Sequence, residues 1–290
     1  MSSEFTTQRG DEHTHLIVLS DGSDFAWRAV DLAAELASSD GLDLEVLEVV
    51  LLPGDVEATM DAIRRRFTQQ TARRERVDAR IGENLRVTAL VQNGRIDETI
   101  AAEIDGRDDG SLIVMSSVGR GRSAALIGSV AEDLLRALHG PILLVGPKVD
   151  IESFDPSGRV LIAVDGSELS EQAIGVGLAW AIEHGSTPWL VQSLDQEFAD
   201  ADRGESAYLA RTADDIYRRT EHRVEYEVLH HRHPAHAIAD YASDTSVSLV
   251  VATTHGRSGT DRAALGSEAM SIVHRCPRPV LLTRPPVISD

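Results

Sequence analysis

Short apolar runs alternate along this chain with longer stretches whose apolar residues recur at helical spacing. His15–Ser20 reads as an apolar strand. Asp24–Ala37 then carries Phe25, Ala29, Leu32, Ala33 and Leu36 on one helix face. Leu42–Leu52 reads as a strand, and Asp55–Ile81 as a long polar helix with Met60, Ile63 and Phe67 on one side. Leu85–Val91 is the next strand, and a helix follows from Asp97 to Asp105. Ser111–Ser116 has the unbroken apolar centre of a strand covered on both faces, as in a parallel sheet. A loop over Val118–Ile127, a helix over Gly128–His139 and a strand over Pro141–Val145 complete the first half.

The second half repeats the order. Val160–Val164 is a strand, Glu168–Glu183 a helix, and Pro188–Leu194 a strand. A helix over Gly204–Arg219 precedes the strand Arg223–Leu229, and a helix from Pro234 to Tyr241 precedes the strand Ser248–Thr253. A loop runs through Leu265, then come a helix over Gly266–Arg275 and a strand over Pro279–Thr283. Strict alternation of strand and helix predicts an α/β protein made of two tandem doubly wound domains, each a five-stranded parallel sheet flanked by helices. The polar stretch Pro147–Gly158 reads as the join. The expected organisation is a flexible tail over 1–13, a first domain over 14–147, a linker over 148–158 and a second domain over 159–285.

Composition narrows the class. The 290 residues suffice for two domains of ordinary size, and at 4% aromatic the cores must be filled by aliphatic side chains. No apolar run approaches the roughly 20 residues of a membrane span. The start of the chain lacks the basic-then-apolar pattern of an export signal, so a cytoplasmic protein is expected. Cys276 is the single cysteine; it excludes an internal disulfide, fits a reducing compartment and reads as an inert core thiol. The formal charge of −19 disfavours phosphate backbones, so nucleic acid is not an expected partner. The arginine run at Arg64–Arg66, Arg73, Arg74 and Arg76 therefore reads as a solvated helix face. Lys148 is the one lysine, and dense carboxylates with so little lysine resemble salt-in halophilic proteins, in which salt screens self-repulsion.

The halves also share short phrases. Val18-Leu-Ser-Asp-Gly-Ser23 and Ala163-Val-Asp-Gly-Ser167 each end the first strand, and Gly128-Ser129 and Gly266-Ser267 each open a later helix. In doubly wound sheets, ligands bind beyond the carboxyl ends of the strands where strand order reverses. Asp165, the segment Thr253-Thr-His-Gly256 and Gly266-Ser267 all fall there. Glycines let the backbone approach closely, and a helix start offers N–H groups to an anion. With no ligand, the same residues are a glycine loop and a capping serine. No lysine follows the glycines, so this is not a Walker A loop.

These phrases resemble the universal stress protein family, twice over, across roughly 13–147 and 158–285. That family's nucleotide loop reads Gly, two residues, Gly, nine residues, Gly, then Ser or Thr. Here nine residues, 257–265, separate Gly256 from Gly266, and Ser267 follows. The resemblance implies a stress-response or signalling module whose members divide into ATP binders and non-binders. In binders, the acid after the first strand and the end of the second strand flank the adenosine, and the loop wraps ribose and phosphates. Carried over, the expected contacts for ATP, ADP or AMP, with magnesium if ATP, are Val164, Asp165, Gly256, Gly266 and Ser267. The first-half counterparts are Ser20, Asp21, Gly119, Gly128, Ser129 and Val130. The resemblance also implies an internal pseudo-dimer of the two domains, often through their last strands, and a possible homodimer of chains.

The chain departs from the pattern. Thr253 and Ser116 stand where the motif has its first glycine, and eight residues rather than nine, 120–127, separate Gly119 from Gly128. Glu268 follows Ser267 and would set a carboxylate beside a bound phosphate; Val130 holds that place in the first half. A nucleotide-free scaffold or interaction module with degenerate loops therefore stands as the alternative. An adenine-nucleotide hydrolase or ligase is a weaker third, since neither loop carries a lysine or an acid cluster. Ser167 reads as a helix cap rather than a hydrolase nucleophile, because no second glycine makes a nucleophile elbow. His230, His231, His233 and His236 crowd one strand-to-helix turn; they match no known ligand spacing, so no metal is expected and a solvated turn is.

Overall fold

The computed structural model describes residues 15–21, 23–51, 85–92, 96–105, 110–119, 129–138, 140–195, 206–244, 247–254 and 266–284. The expected helix over 55–81 and most of both glycine loops lie outside the described residues. The chain divides into two compact units, Asp11–Pro147 and one built from Lys148–Asp290.

In the first unit, β1 (His15–Ser20), α1 (Asp24–Asp40), β2 (Asp43–Leu51), β3 (Leu85–Gln92), α2 (Ile96–Asp105), β4 (Leu112–Ser116), α3 (Ser129–Ala137) and β5 (Ile142–Val145) follow one another. The strands lie in the order β3-β2-β1-β4-β5, and every pairing is parallel. In the second unit, β6 (Arg159–Ala163), α4 (Glu168–His184), β7 (Thr187–Leu194), α5 (Ala207–Thr220), β8 (Glu225–His230), α6 (Pro234–Asp244), β9 (Val247–Thr253), α7 (Ser267–Arg275) and β10 (Val280–Thr283) do the same. Their order, β8-β7-β6-β9-β10, repeats that of the first unit, again all parallel.

Each sheet is buried where its order reverses. Leu16, Ile17 and Val18 of β1 and Val160, Leu161 and Ile162 of β6 are fully enclosed. Their neighbours β4 and β9 are apolar because helices cover both faces; all seven residues of β9 are buried. The helices begin and end by matching devices. Ser23 caps α1 by accepting from the Ala26 N–H, and Ser167 caps α4 by accepting from the Ser170 N–H. Gly41 and Gly185 close the same two helices at φ 68° and 66°, a left-handed turn that glycine makes without strain.

Helix α1 buries more than the expected stripe. Ala26, Trp27 and Val30 are enclosed along with Ala29, Leu32, Ala33 and Leu36, while Phe25 is half-buried. The helix lies over β1, β2 and β4 together, so a narrow seam does not suffice. On α4 the approach to the sheet is closer still. A Cβ at Gly177 would stand 2.5 Å from Ile162 Cγ1.

Candidate functional site

In the second unit, β6 and β9 run side by side, so the Asp-Gly-Ser turn and the start of the glycine loop leave the same end of the sheet. Val164 is buried and continues the ladder through its N–H to the Val191 carbonyl oxygen, 2.9 Å. Asp165 then turns the chain. Its Oδ1 accepts from the Ser167 N–H at 2.9 Å and from the Ser167 hydroxyl at 2.6 Å. Gly166 sits at φ 82°, which explains the glycine in the phrase. Ser170 closes the ring: its Oγ accepts from the Asp165 N–H at 3.1 Å and donates to the Ser167 carbonyl at 2.9 Å. Glu171 faces Tyr208 on α5, whose hydroxyl donates to Oε1 at 2.9 Å. Burial, then the Glu171 charge, holds that phenol well above its ordinary range, and Asp165 adds to the effect.

At the other side, Thr253 pairs with Thr283, and the Thr254 N–H donates to the Thr283 carbonyl at 2.9 Å. The Gly266 N–H donates to the Thr254 carbonyl at 2.7 Å. One bond thus draws the two ends of the segment 255–265 together. Gly266 is the N-cap of α7 at φ −58°, open to any residue, and no side chain caps it. Ser267 opens the helix with its side chain exposed.

Glu268 differs from its expected role. Its Oε2 accepts from the Ala235 N–H at 3.2 Å, at the first turn of α6. The carboxylate is engaged by the neighbouring helix, whose unpaired N–H groups and dipole attract it.

In the first unit, buried Ser20 and Asp21 end β1, and Asp21 Oδ1 accepts from the Ser23 N–H at 2.8 Å. Gly119 lies against this turn: a Cβ there would be 3.2 Å from Asp21 Oδ2. The structure therefore brings Ser20, Asp21 and Gly119 together. Ser129 and Val130 are the first two residues of α3. Gly128 and Gly256 lie outside the described residues. Ser116, in the place of the motif's first glycine, folds the loop start onto itself. Its hydroxyl donates to the Val118 carbonyl at 2.9 Å and accepts from the Val118 N–H at 3.2 Å.

Sequence reasoning did not anticipate Tyr208, Ser170 or the partner of Glu268. Ser170 was within reach, three residues after a capping serine. The other two pairs join residues far apart in the chain, and no local pattern announces them.

Fold and site together define a tandem Rossmann-like α/β protein. The chain belongs to the Universal stress protein family, whose model matches residues 13–146 and 156–284. A universal stress protein of Mycobacterium tuberculosis is 26% identical over 220 residues, spanning 71% of this chain and 68% of its own. A second from that organism is 28% identical over 193 residues, 61% of this chain and 63% of its own. The solved structure of a universal stress protein from Archaeoglobus fulgidus superposes with TM-score 0.72 at 17% identity, covering 94% of this chain and 99% of that one. A Pseudomonas aeruginosa PAO1 protein described as functionally unknown gives 0.58 at 19%, covering 95% and 94%. Among the described residues, no helix is long and apolar enough to cross a membrane.

Proposed function

We propose that this chain is a cytosolic stress-response or signalling module in which the second unit holds the adenine-nucleotide site. The observation that carries the reading is the Gly266–Thr254 bond. It fixes the start of α7 beside the ends of β6 and β9, so Asp165, the glycine loop and Ser267 meet at one mouth. The glycine loop there has the full nine-residue length. Glu268 no longer counts against it, because its carboxylate is engaged at α6. Nucleotide would act by shifting populations: a loop ordered around phosphate presents a different surface to a partner.

The first unit serves as a nucleotide-free scaffold. Ser116 occupies the polar groups at its loop start, and Gly119 is packed against Asp21. Native mass spectrometry and thermal unfolding of the intact chain in concentrated KCl test both readings. Mg-ATP at a hundredfold excess over its Kd would stabilise the binding unit by about 2.7 kcal/mol. Gly266→Val should abolish the shift and Gly119→Val should leave it. Absence of both retained nucleotide and an ATP-dependent shift would sink the proposal.

A further inference from the structure

The histidine-rich turn between β8 and α6 is not a set of separate solvated rings. His231, His233 and His236 gather into a triangle with ring centroids 5.3, 5.7 and 5.8 Å apart. That spacing has a chemical meaning. With Zn–N bonds of about 2.0–2.1 Å and tetrahedral angles, three ligating imidazoles have centroids about 5.2 Å apart. The triangle is therefore within a few tenths of an ångström of the size a tris-histidine site requires.

We propose that His231, His233 and His236 form a site for a late first-row divalent cation of the Zn²⁺ class, with water as the fourth ligand. Imidazole is the ligand type these ions prefer. As they stand, no group of three or more His, Cys, Asp or Glu side chains among the described residues is set to hold a metal ion. The His231 and His236 rings are stacked at 16°, so one must swing about its side-chain torsions to converge. The rings sit on a turn at the surface, where such rotations meet little packing.

The backbone already supplies an orienting partner. His231 Nδ1 lies 2.8 Å from the His233 N and 3.1 Å from the His233 carbonyl oxygen. In one tautomer it accepts from the N–H. In the other it donates to the carbonyl, which leaves Nε2 as a lone-pair donor, and metal binding at Nε2 selects this form. A ligating histidine held through its second nitrogen by a carbonyl is the common outer-shell arrangement. His236 is kept below its ordinary pKa by desolvation, then by Arg275, His233 and His231, against an opposing contribution from Asp240. It is thus unprotonated where a metal needs it, although Arg275 also repels the dication. The site is independent of the nucleotide reading.

The test titrates the intact chain with Co²⁺ and with Zn²⁺ in excess Mg²⁺, which occupies the carboxylates of this acidic surface but competes poorly for imidazole. The expected result is one Co²⁺ per chain with an intense visible d–d band, displaced by one Zn²⁺. His231→Ala, His233→Ala and His236→Ala should each lower affinity at least about tenfold. His222→Ala and His230→Ala should change it less than threefold. Circular dichroism confirms that the variants fold. Weak octahedral absorption, more than one equivalent bound, or equal small losses across all five variants would overturn the proposal.

Discussion

Glu268→Gln separates the carboxylate's place in the sequence from its place in the fold. If Glu268 faced a phosphate at about 4 Å, the repulsion would be about 4 kcal/mol at an effective dielectric of 20. Removing the charge would then tighten nucleotide binding by up to about a thousandfold. The structure instead has Oε2 on the Ala235 N–H, at the positive end of α6 and in the first turn of α7. Each helix terminus gains about 0.3–1 kcal/mol from such a charge at an exposed position. Solvent discounts this, because the Glu268 side chain is exposed. The expected loss on substitution is therefore about 0.5–1 kcal/mol, a fall in Tm of about 1–4 °C for a domain of this size. Nucleotide affinity should change less than about fivefold. Paired thermal unfolding and ATP titration read the two effects on one sample. A variant as stable as the parent that binds nucleotide tenfold more tightly or better would refute the reasoning. The stability arm decides the carboxylate's direction even in a chain that binds no nucleotide.

Three further outcomes are expected. Gly177→Ala should destabilise by about 1–2 kcal/mol, since overpacking against the enclosed Ile162 exceeds the roughly 1 kcal/mol gained in helix propensity; Gly175→Ala on the same helix meets nothing within 4 Å and should stabilise, so denaturant midpoints in the reverse order would contradict the packing described. Burial pushes the Cys276 thiol from 9.0 up to about 11. The folded state therefore holds its proton where the unfolded chain releases it: stability is intact below pH 9 and declines as pH rises from 9 towards 11, more steeply than in Cys276→Ala, which urea midpoints across that range will check. With a charge of −19, Tm should climb as KCl is raised from about 0.1 M to above about 1 M, the screening length shrinking from ~10 to ~3 Å; a flat or falling curve would contradict the self-repulsion argument.

Periodicity carried the architecture because each strand of these sheets is enclosed along its own length. The apolar run of β9 and the Gly41 and Gly185 ends of α1 and α4 are local signals with local causes. The breadth of the α1 contact was less legible. Trp27 and Val30 are buried by what lies over three strands, not by the helix's own pattern. At the site, Asp165 and Ser167 were readable as a turn and a cap. Tyr208 with Glu171, and Ala235 with Glu268, were not, because tertiary neighbours set where those side chains point. The histidine triangle lies between these cases. Its members are close in the chain, but only the turn after β8 shows that three rings meet.

The Asp-Gly-Ser phrase has a folding cause sufficient to keep it in both halves. Asp165 Oδ1 holds Ser167, Gly166 takes a φ of 82°, and Ser167 caps α4. Asp21 and Ser23 repeat the same bonds at α1. Substituting either aspartate would unfasten a helix start before it touched any ligand, so lost binding in such a variant says little about recognition. Where the halves diverge is the end of β4 against the end of β9. Ser116 closes the first loop onto its own backbone, whereas the second is closed across its ends by Gly266 and Thr254. A bond between loop ends leaves the intervening residues to wrap a ligand; a side chain folded into the loop's start competes for the same backbone groups. The difference in function between the two copies therefore resides in these loop closures, and the repeated phrase reports the fold.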